Sequence, residues 1–271
     1  MMRYGAMNFP IRPVLAEIEE FAALGFDYLE LTLDPPEAHH GRIRPVKAQI
    51  CRALEDRKMG LVVHLPTFVS TADLTDGIRN ASVAEMLRSM DLAAEMGAEK
   101  VVMHPSTISG LGPLVMDLAM GYAQESMETM IRHAESLGLR TCLENMFPRC
   151  RAFFEPEHFD SIMKRFSNLE MTLDTGHANI DGREGRRIFS FIRRFGGRIG
   201  HVHASDNGGR RDEHLPVGSG NIDFAGLMGR LLQVGYQETI TLEVFSEDRR
   251  LLAKSRDRLR RLEENPHGGG R

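Results

Sequence analysis

The sequence predicts an α/β fold, a (β/α)8 TIM barrel with a parallel eight-stranded core, and three observations predict it. Short β-branched or apolar runs alternate with longer amphipathic segments along the whole chain. Helical patterns repeatedly end on a glycine just before the next strand, the residue suited to the left-handed position that closes a helix. The length of 271 residues divides into eight units of about 34 residues, close to the usual barrel of about 250 residues.

Taken in order, strand one is expected over Arg3–Asn8, and the amphipathic pattern Val14–Leu24 after it stops at Gly25. Strand two, Tyr28–Asp34, leads into Val46–Lys58, closed at Met59-Gly60. Strand three, Leu61–Pro66, precedes the helical pattern Ala81–Met96 and Gly97. Strand four, Lys100–Pro105, precedes Leu118–Leu137 and Gly138. Strands five, six and seven are expected over Arg140–Met146, Glu170–Thr175 and Arg198–Ala204. The pattern Phe224–Val234 with Gly235, capped by Asp223, then leads to strand eight, Thr239–Phe245. Strands that alternate with helices imply a parallel sheet with right-handed crossovers. An open doubly wound sheet is the alternative, but no G-x-G-x-x-G follows strand one. A single barrel domain over residues 1–262 is expected, with 263–271 as a flexible tail ending Pro-His-Gly-Gly-Gly-Arg.

With 42% apolar and 27% charged residues the chain can bury a sizeable core. Thirty-four basic against 38 acidic residues leave a net charge of −4, which argues against a general polyanion binder. Three cysteines without a C-x-x-C pair argue against a disulfide scaffold or a cysteine zinc site. No leader pattern and no apolar run of about 20 residues is visible, so a soluble, cytoplasmic protein is expected. The run Arg249, Arg250, Lys254, Arg256, Arg258, Arg260 and Arg261, interleaved with acidic residues, reads as a solvated helix face. The 16 methionines read as core filler. Neither G-x-S-x-G nor a P-loop is present.

Chemistry concentrates at the strand ends. LVVHLP ends on His64, VVMHPS on His104, TCLENM on Glu144 and MTLDTGHAN on Asp174 with His177 three residues later. IGHVHASD carries His201, His203 and Asp206, and ITLEVF carries Glu243. From His64 the intervals to His104, Glu144, Asp174, His203 and Glu243 are 40, 40, 30, 29 and 40 residues, each about one βα unit. Six metal-capable side chains therefore reach one mouth of the barrel, where barrel enzymes collect their catalytic residues. A buried carboxylate or imidazole costs several kcal/mol unless it is paired, protonated or metal-bound. One such residue reads as structural; six at matching positions point to a divalent cation, with Glu, Asp, His and Glu suiting Mn, Co, Mg or Zn. In the loop after strand seven, Asp212-x-His214 points both side chains one way if extended, and with His177 could hold a further ion. Asn145 and Arg149, and likewise Arg210 and Arg211, are candidates for a substrate hydroxyl or phosphate, against simple solvation. Glu30 either faces the pocket or caps a loop.

The series HLP, MHPS, LEN, LDTGHAN, HVHASDN, DEHLPVGSGNIDF and LEVF resembles the xylose-isomerase-like barrel superfamily over almost the whole chain. That superfamily holds sugar and sugar-phosphate isomerases and epimerases and the endonuclease IV family. For the epimerase type the resemblance implies one divalent metal on Glu144, Asp174, His203 and Glu243. For the endonuclease type it implies up to three, with His64, His104, His177, Asp212 and His214 as possible additional ligands. Endonuclease members have an aromatic three residues after the strand-three histidine and a Gly-Gln-Gly segment after the strand-five glutamate. Here Thr67 and ENMFPR stand there, which weighs against a DNA partner.

The expected function is thus a metal-dependent isomerase or epimerase of a small-molecule sugar or sugar phosphate. Glu144 and Glu243 would be catalytic, removing and returning a proton through a cis-enediolate. Asp174 and His203 would hold the one metal, with His177, Asn145, Arg210 and Arg211 binding substrate. The alternative is a trinuclear zinc phosphodiesterase acting on abasic-site DNA. No membrane partner is expected, and the exposed barrel helices could support a homo-oligomer.

Overall fold

The computed structural model describes residues 1–182 and 185–265. Eight parallel strands close in sequence order: β1 Arg3–Met7, β2 Tyr28–Thr32, β3 Gly60–His64, β4 Lys100–Met103, β5 Thr141–Glu144, β6 Glu170–Asp174, β7 Ile199–Ala204 and β8 Thr239–Leu242. This is the expected TIM barrel, with each strand shorter at its C-terminal end than, or equal to, the sequence pattern. The trimmed residues form the loops that build the mouth.

Helices follow every strand. They are α1 Val14–Ala23, α2 His40–Ile43, α3 Lys47–Asp56, α4 Asp76–Glu95, α5 Met116–Ser136, α6 Asp160–Arg165, α7 Thr175–Asn179, α8 Arg186–Phe195, α9 Phe224–Gln233 and α10 Arg250–Glu264. Asp223 caps α9 through the Gly226 N–H at 2.8 Å. Gly25, Gly97, Gly138 and Gly235 have φ between 70° and 77°, as the turn pattern requires. The fifth turn differs: Lys58 takes the left-handed position (φ 54°) and Gly60 opens β3. A Cβ there would press on the Glu99 carboxylate, the end of a side chain that can shift aside.

Alternation along the strands sorts two interiors. On β2, Leu29 and Leu31 face outward into the main core beneath the helices, whereas Tyr28 and Glu30 face the barrel axis. An apolar cluster of Tyr28, Val62 and Val102 lies on the axis. Polar groups share the axis, several of them paired: Tyr28 Oη with Thr241 Oγ1 at 2.8 Å, and Lys100 Nζ donating to Gly200 O at 2.6 Å and Glu238 at 3.0 Å. A barrel usually fills its axis with branched apolar side chains; this one carries hydrogen-bonded groups upward to the mouth.

The arginine run is not a purely solvated face. Arg249 is buried against Glu17 of α1, and Arg256 is buried, donates to Leu24 O and stacks on Phe26 at 5.0 Å. Arg260 pairs with Asp27 at 3.3 Å. These stems and charges dock α10 against the start of the chain. Glu263 accepts from Met2 N and Tyr4 Oη, each at 2.9 Å, so residues expected in the tail close the last helix instead. The tail expectation for 266–271 lies outside the described residues.

Candidate metal centre

At the C-terminal mouth, register aligns the chemistry. His203 lies opposite Asp174 on β6 and Thr241 on β8, while Glu144 lies opposite Thr172. His203 Nδ1 stands 3.4 Å from Glu144 Oε2, 3.7 Å from Asp174 Oδ2 and 3.6 Å from Glu243 Oε2. All four atoms are buried and none has a hydrogen-bond partner. A buried unsatisfied polar atom costs about 1–3 kcal/mol, so four in one place call for an explanation. The spacing and donor set fit a divalent cation bound at about 2.0–2.2 Å from each ligand.

Five of the ligand candidates are held from behind. Asp174 Oδ1 caps α7 by accepting the His177 N–H at 2.6 Å, which leaves Oδ2 for the centre. His203 Nε2 donates to Glu30 Oε1 at 2.9 Å. His64 Nδ1 donates to Leu65 O at 2.8 Å, His177 Nδ1 to Asn145 O at 2.9 Å and His214 Nδ1 to Glu243 O at 3.1 Å. Carbonyl and carboxylate oxygens only accept, so the opposite nitrogen of each ring is the one turned toward the site, where a metal would displace its proton. That orientation is how imidazoles are held for a metal.

The remaining candidates form two flanking groups. His64 Nε2 and His104 Nε2 lie 3.4 and 3.3 Å from Glu144 Oε2. Asp212 Oδ2 lies 3.3 Å from His177 Nε2 and 3.0 Å from His214 Nε2. The loop bearing Asp212 and His214 is anchored by Asp206, whose buried carboxylate accepts from the N–H groups of Asn207, Gly218, Gly220 and Ile222 at 2.9–3.2 Å. At Gly220 a Cβ would meet Asn207 O at 2.3 Å and Asp206 Oδ1 at 2.4 Å. Gly220→Ala therefore displaces this loop; the expected cost is about 1–3 kcal/mol. Thermal unfolding beside the wild type checks it, and an unchanged melting temperature would refute the anchoring role.

Charges reinforce one another. Burial pushes Glu144 up, but the imidazoles of His203 and His104 outweigh it and hold the carboxyl well below its usual range. Burial, with the Asp174 and Glu144 charges, raises Glu243 to about 7 against the pull of His214 and His203. Burial alone would lower His214, yet Glu243 and Asp212 raise it to about 9. His177 and His203 are raised well above the ordinary value by facing carboxylates that overcome burial.

The centre floors a cavity of about 410 Å3 lined by His64, His104, His177, Asp212, His214 and Glu243 and rimmed by Phe9, Phe68, Phe147 and Phe245. Among the described residues the lining holds no arginine or lysine. Arg149, Arg210 and Arg211 are exposed and line none of it. Asn145 does not line the cavity either: it is fully buried, donating to Asp174 O at 3.0 Å and accepting from Asp174 N at 2.9 Å. Its amide ties β5 to β6 and so sets Glu144 beside Asp174. Glu30 neither caps a loop nor lines the cavity; it lies on the barrel axis beneath His203. Phe68, 87% exposed on the rim, was missed; it directly follows Thr67, whose N–H and hydroxyl are held by Asp34 at 3.0 and 2.9 Å. A further cluster, His39 and His40 on Glu85, lies outside the barrel, where His39 Nδ1 accepts the Gly41 N–H and closes the start of α2.

A closed parallel barrel with paired carboxylates and imidazoles converging at its C-terminal mouth defines a class of TIM-barrel proteins. Residues 18–264 match the family model described as xylose isomerase-like TIM barrel, and the chain belongs to that family. A solved D-tagatose 3-epimerase-like protein is 27% identical, with a TM-score of 0.85 and 97% of each chain covered. An uncharacterised protein of Methanocaldococcus jannaschii is 30% identical over 250 residues, covering 89% of this chain and 83% of its own. A probable endonuclease 4 of Aquifex aeolicus is 25% identical over 259 residues, 89% of this chain and 90% of its own. No described helix is long and apolar enough to cross a membrane.

Proposed function

We propose that the protein is a divalent-metal-dependent isomerase or epimerase of a sugar, moving a proton next to a carbonyl through a cis-enediolate. The observation that carries this is the convergence of Glu144 Oε2, Asp174 Oδ2, His203 Nδ1 and Glu243 Oε2, buried and unpartnered, at the floor of a monosaccharide-sized cavity. Similarity to the D-tagatose 3-epimerase-like protein supports it.

A bound cation would polarise the substrate carbonyl and its neighbouring hydroxyl, making the adjacent C–H more acidic. Glu144 would take the proton as base, and Glu243 would return one as acid. Asp174 and His203 hold the ion. His177 contacts a substrate hydroxyl from the cavity wall, and the aromatic rim packs the apolar faces of the sugar and excludes water. A cavity without lysine or arginine among its described lining residues favours an uncharged sugar over a sugar phosphate. The test is deuterium incorporation from D2O into the carbon beside the carbonyl across a panel of ketoses. No incorporation with any of them would contradict the proposal.

A second function is favoured by one observation: Glu144 Oε2 also faces His64 and His104, and His177, Asp212 and His214 form a third group. Three ions could then serve phosphodiester hydrolysis, with Glu144 bridging two of them. A phosphodiesterase would be crippled by losing His104 or Asp212; an epimerase would be affected mildly.

A further inference from the structure

Beneath the four converging atoms lies a buried chain of groups that neither proton transfer nor direct ligation uses. Glu30 of β2 is fully buried on the barrel axis and reaches across to β7. Its Oε1 accepts from His203 Nε2 and its Oε2 from His201 Nε2, both at 2.9 Å. His201 Nδ1 in turn lies 2.7 Å from Thr239 Oγ1 of β8. Thr239 sits opposite His201 in the sheet, so the chain Thr239–His201–Glu30–His203 crosses the barrel from one wall to the other.

Burying a carboxylate here is costly unless both oxygens are satisfied. A leucine would fill the axis at less cost yet release both histidines, and a glutamine could hold only one of them. An imidazole with no partner behind it can present either nitrogen and rotate about its Cβ–Cγ bond. With Glu30 accepting at Nε2, only Nδ1 remains to face Glu144, Asp174 and Glu243, at 3.4–3.7 Å. His201 serves on the opposite side: it occupies the second oxygen and so stops Glu30 from swinging toward the cavity.

We propose that Glu30 is the positioning residue of the metal centre, fixing His203 in the Nε2–H tautomer through a bidentate grip shared with His201 that Thr239 completes. This rests on the metal-binding reading above and adds to it a residue outside the cavity. Such outer partners typically contribute 10–100-fold in metal affinity.

The experiment is a Zn2+ titration of the wild type and of Glu30→Gln against a chromophoric chelator, with the visible spectrum of each Co2+-loaded protein and the melting temperature of each metal-free form. Glutamine keeps the shape but can accept from only one of the two histidines. The expected result is a Zn2+ affinity loss of about 10–100-fold with an altered Co2+ spectrum, while the metal-free Glu30→Gln protein still unfolds cooperatively. An affinity within twofold of wild type and an unchanged Co2+ spectrum would overturn the proposal while leaving the metal site standing. A wild type that takes up neither ion would overturn both. Should Glu30→Gln not fold, proton–nitrogen NMR of Zn2+-loaded wild type decides: a proton on His203 Nε2 supports the proposal, and one on Nδ1 overturns it.

Discussion

Glu144→Gln and Glu243→Gln each abolish deuterium incorporation from D2O at the substrate carbon while the barrel stays folded. Glutamine matches glutamate in shape but neither accepts a proton nor returns one at neutral pH. Positioned acid–base groups contribute about 100- to 10,000-fold, so the loss should be of that order in each variant. In the metal-free protein, burial and neighbouring carboxylates raise Glu243 to about 7, whereas His203 and His104 hold Glu144 below the usual range, so the two variants should change the metal-free pH dependence of stability differently. Because both side chains also face His203 Nδ1, metal content must be measured in each variant, so that a lost ion is told apart from a lost base. Incorporation at the wild-type rate in both variants, with metal retained, would remove proton transfer from the account.

The second large effect is on stability. With Zn2+ or Mn2+ at about 1,000 times its dissociation constant, binding to the folded state alone adds about 4 kcal/mol. For a chain of this size that raises the melting temperature by roughly 10 °C. The effect should depend on pH with a definite sign. Without metal, protons on the imidazoles offset the cluster's negative charge. His214 titrates at about 9 in the folded protein, against about 6.5 when unfolded. Its contribution is fully present below pH 6.5 and is lost as pH rises through 9. His177 and His203 are raised as well and push the same way. The metal-free melting temperature should therefore fall between pH 6.5 and 9, while added metal stabilises progressively more because it displaces those protons. Differential scanning calorimetry with and without chelator across this window checks it; a flat metal-free profile with no response to metal would contradict it.

The strand ends were legible because an isolated polar residue closing an apolar run is costly to bury, and repetition at one βα spacing made coincidence untenable. His64, Glu144 and Asp174 close their strands, His203 stands one residue before the end of its strand, and His104 and Glu243 lie one residue beyond theirs. What sequence could not show was which polar groups already had partners. Asn145 looked available beside Glu144, but its amide is consumed by the Asp174 backbone on the next strand, a long-range pairing that register alone creates. Glu30 carried a usable signal: in YLELT it shares the inward face with Tyr28, so a carboxylate there had to meet a donor inside the barrel. Arg249 and Arg256 looked like solvent-facing charge because sequence shows the run and not the groove between α1 and α10 that receives them. Phe68 escaped because the long-range bonds that hold its neighbour Thr67 to Asp34 on the preceding strand's loop leave no local mark in the sequence.

The most direct test of the central claim is the number of divalent ions per chain, by elemental analysis of protein purified without added metal or chelator, beside Asp174→Asn. About one ion per wild-type chain, lost in the variant, is the predicted result and would assign the ion to Glu144, Asp174, His203 and Glu243. No ion, or close to three zinc ions per chain, would contradict it, the latter pointing to phosphodiester chemistry.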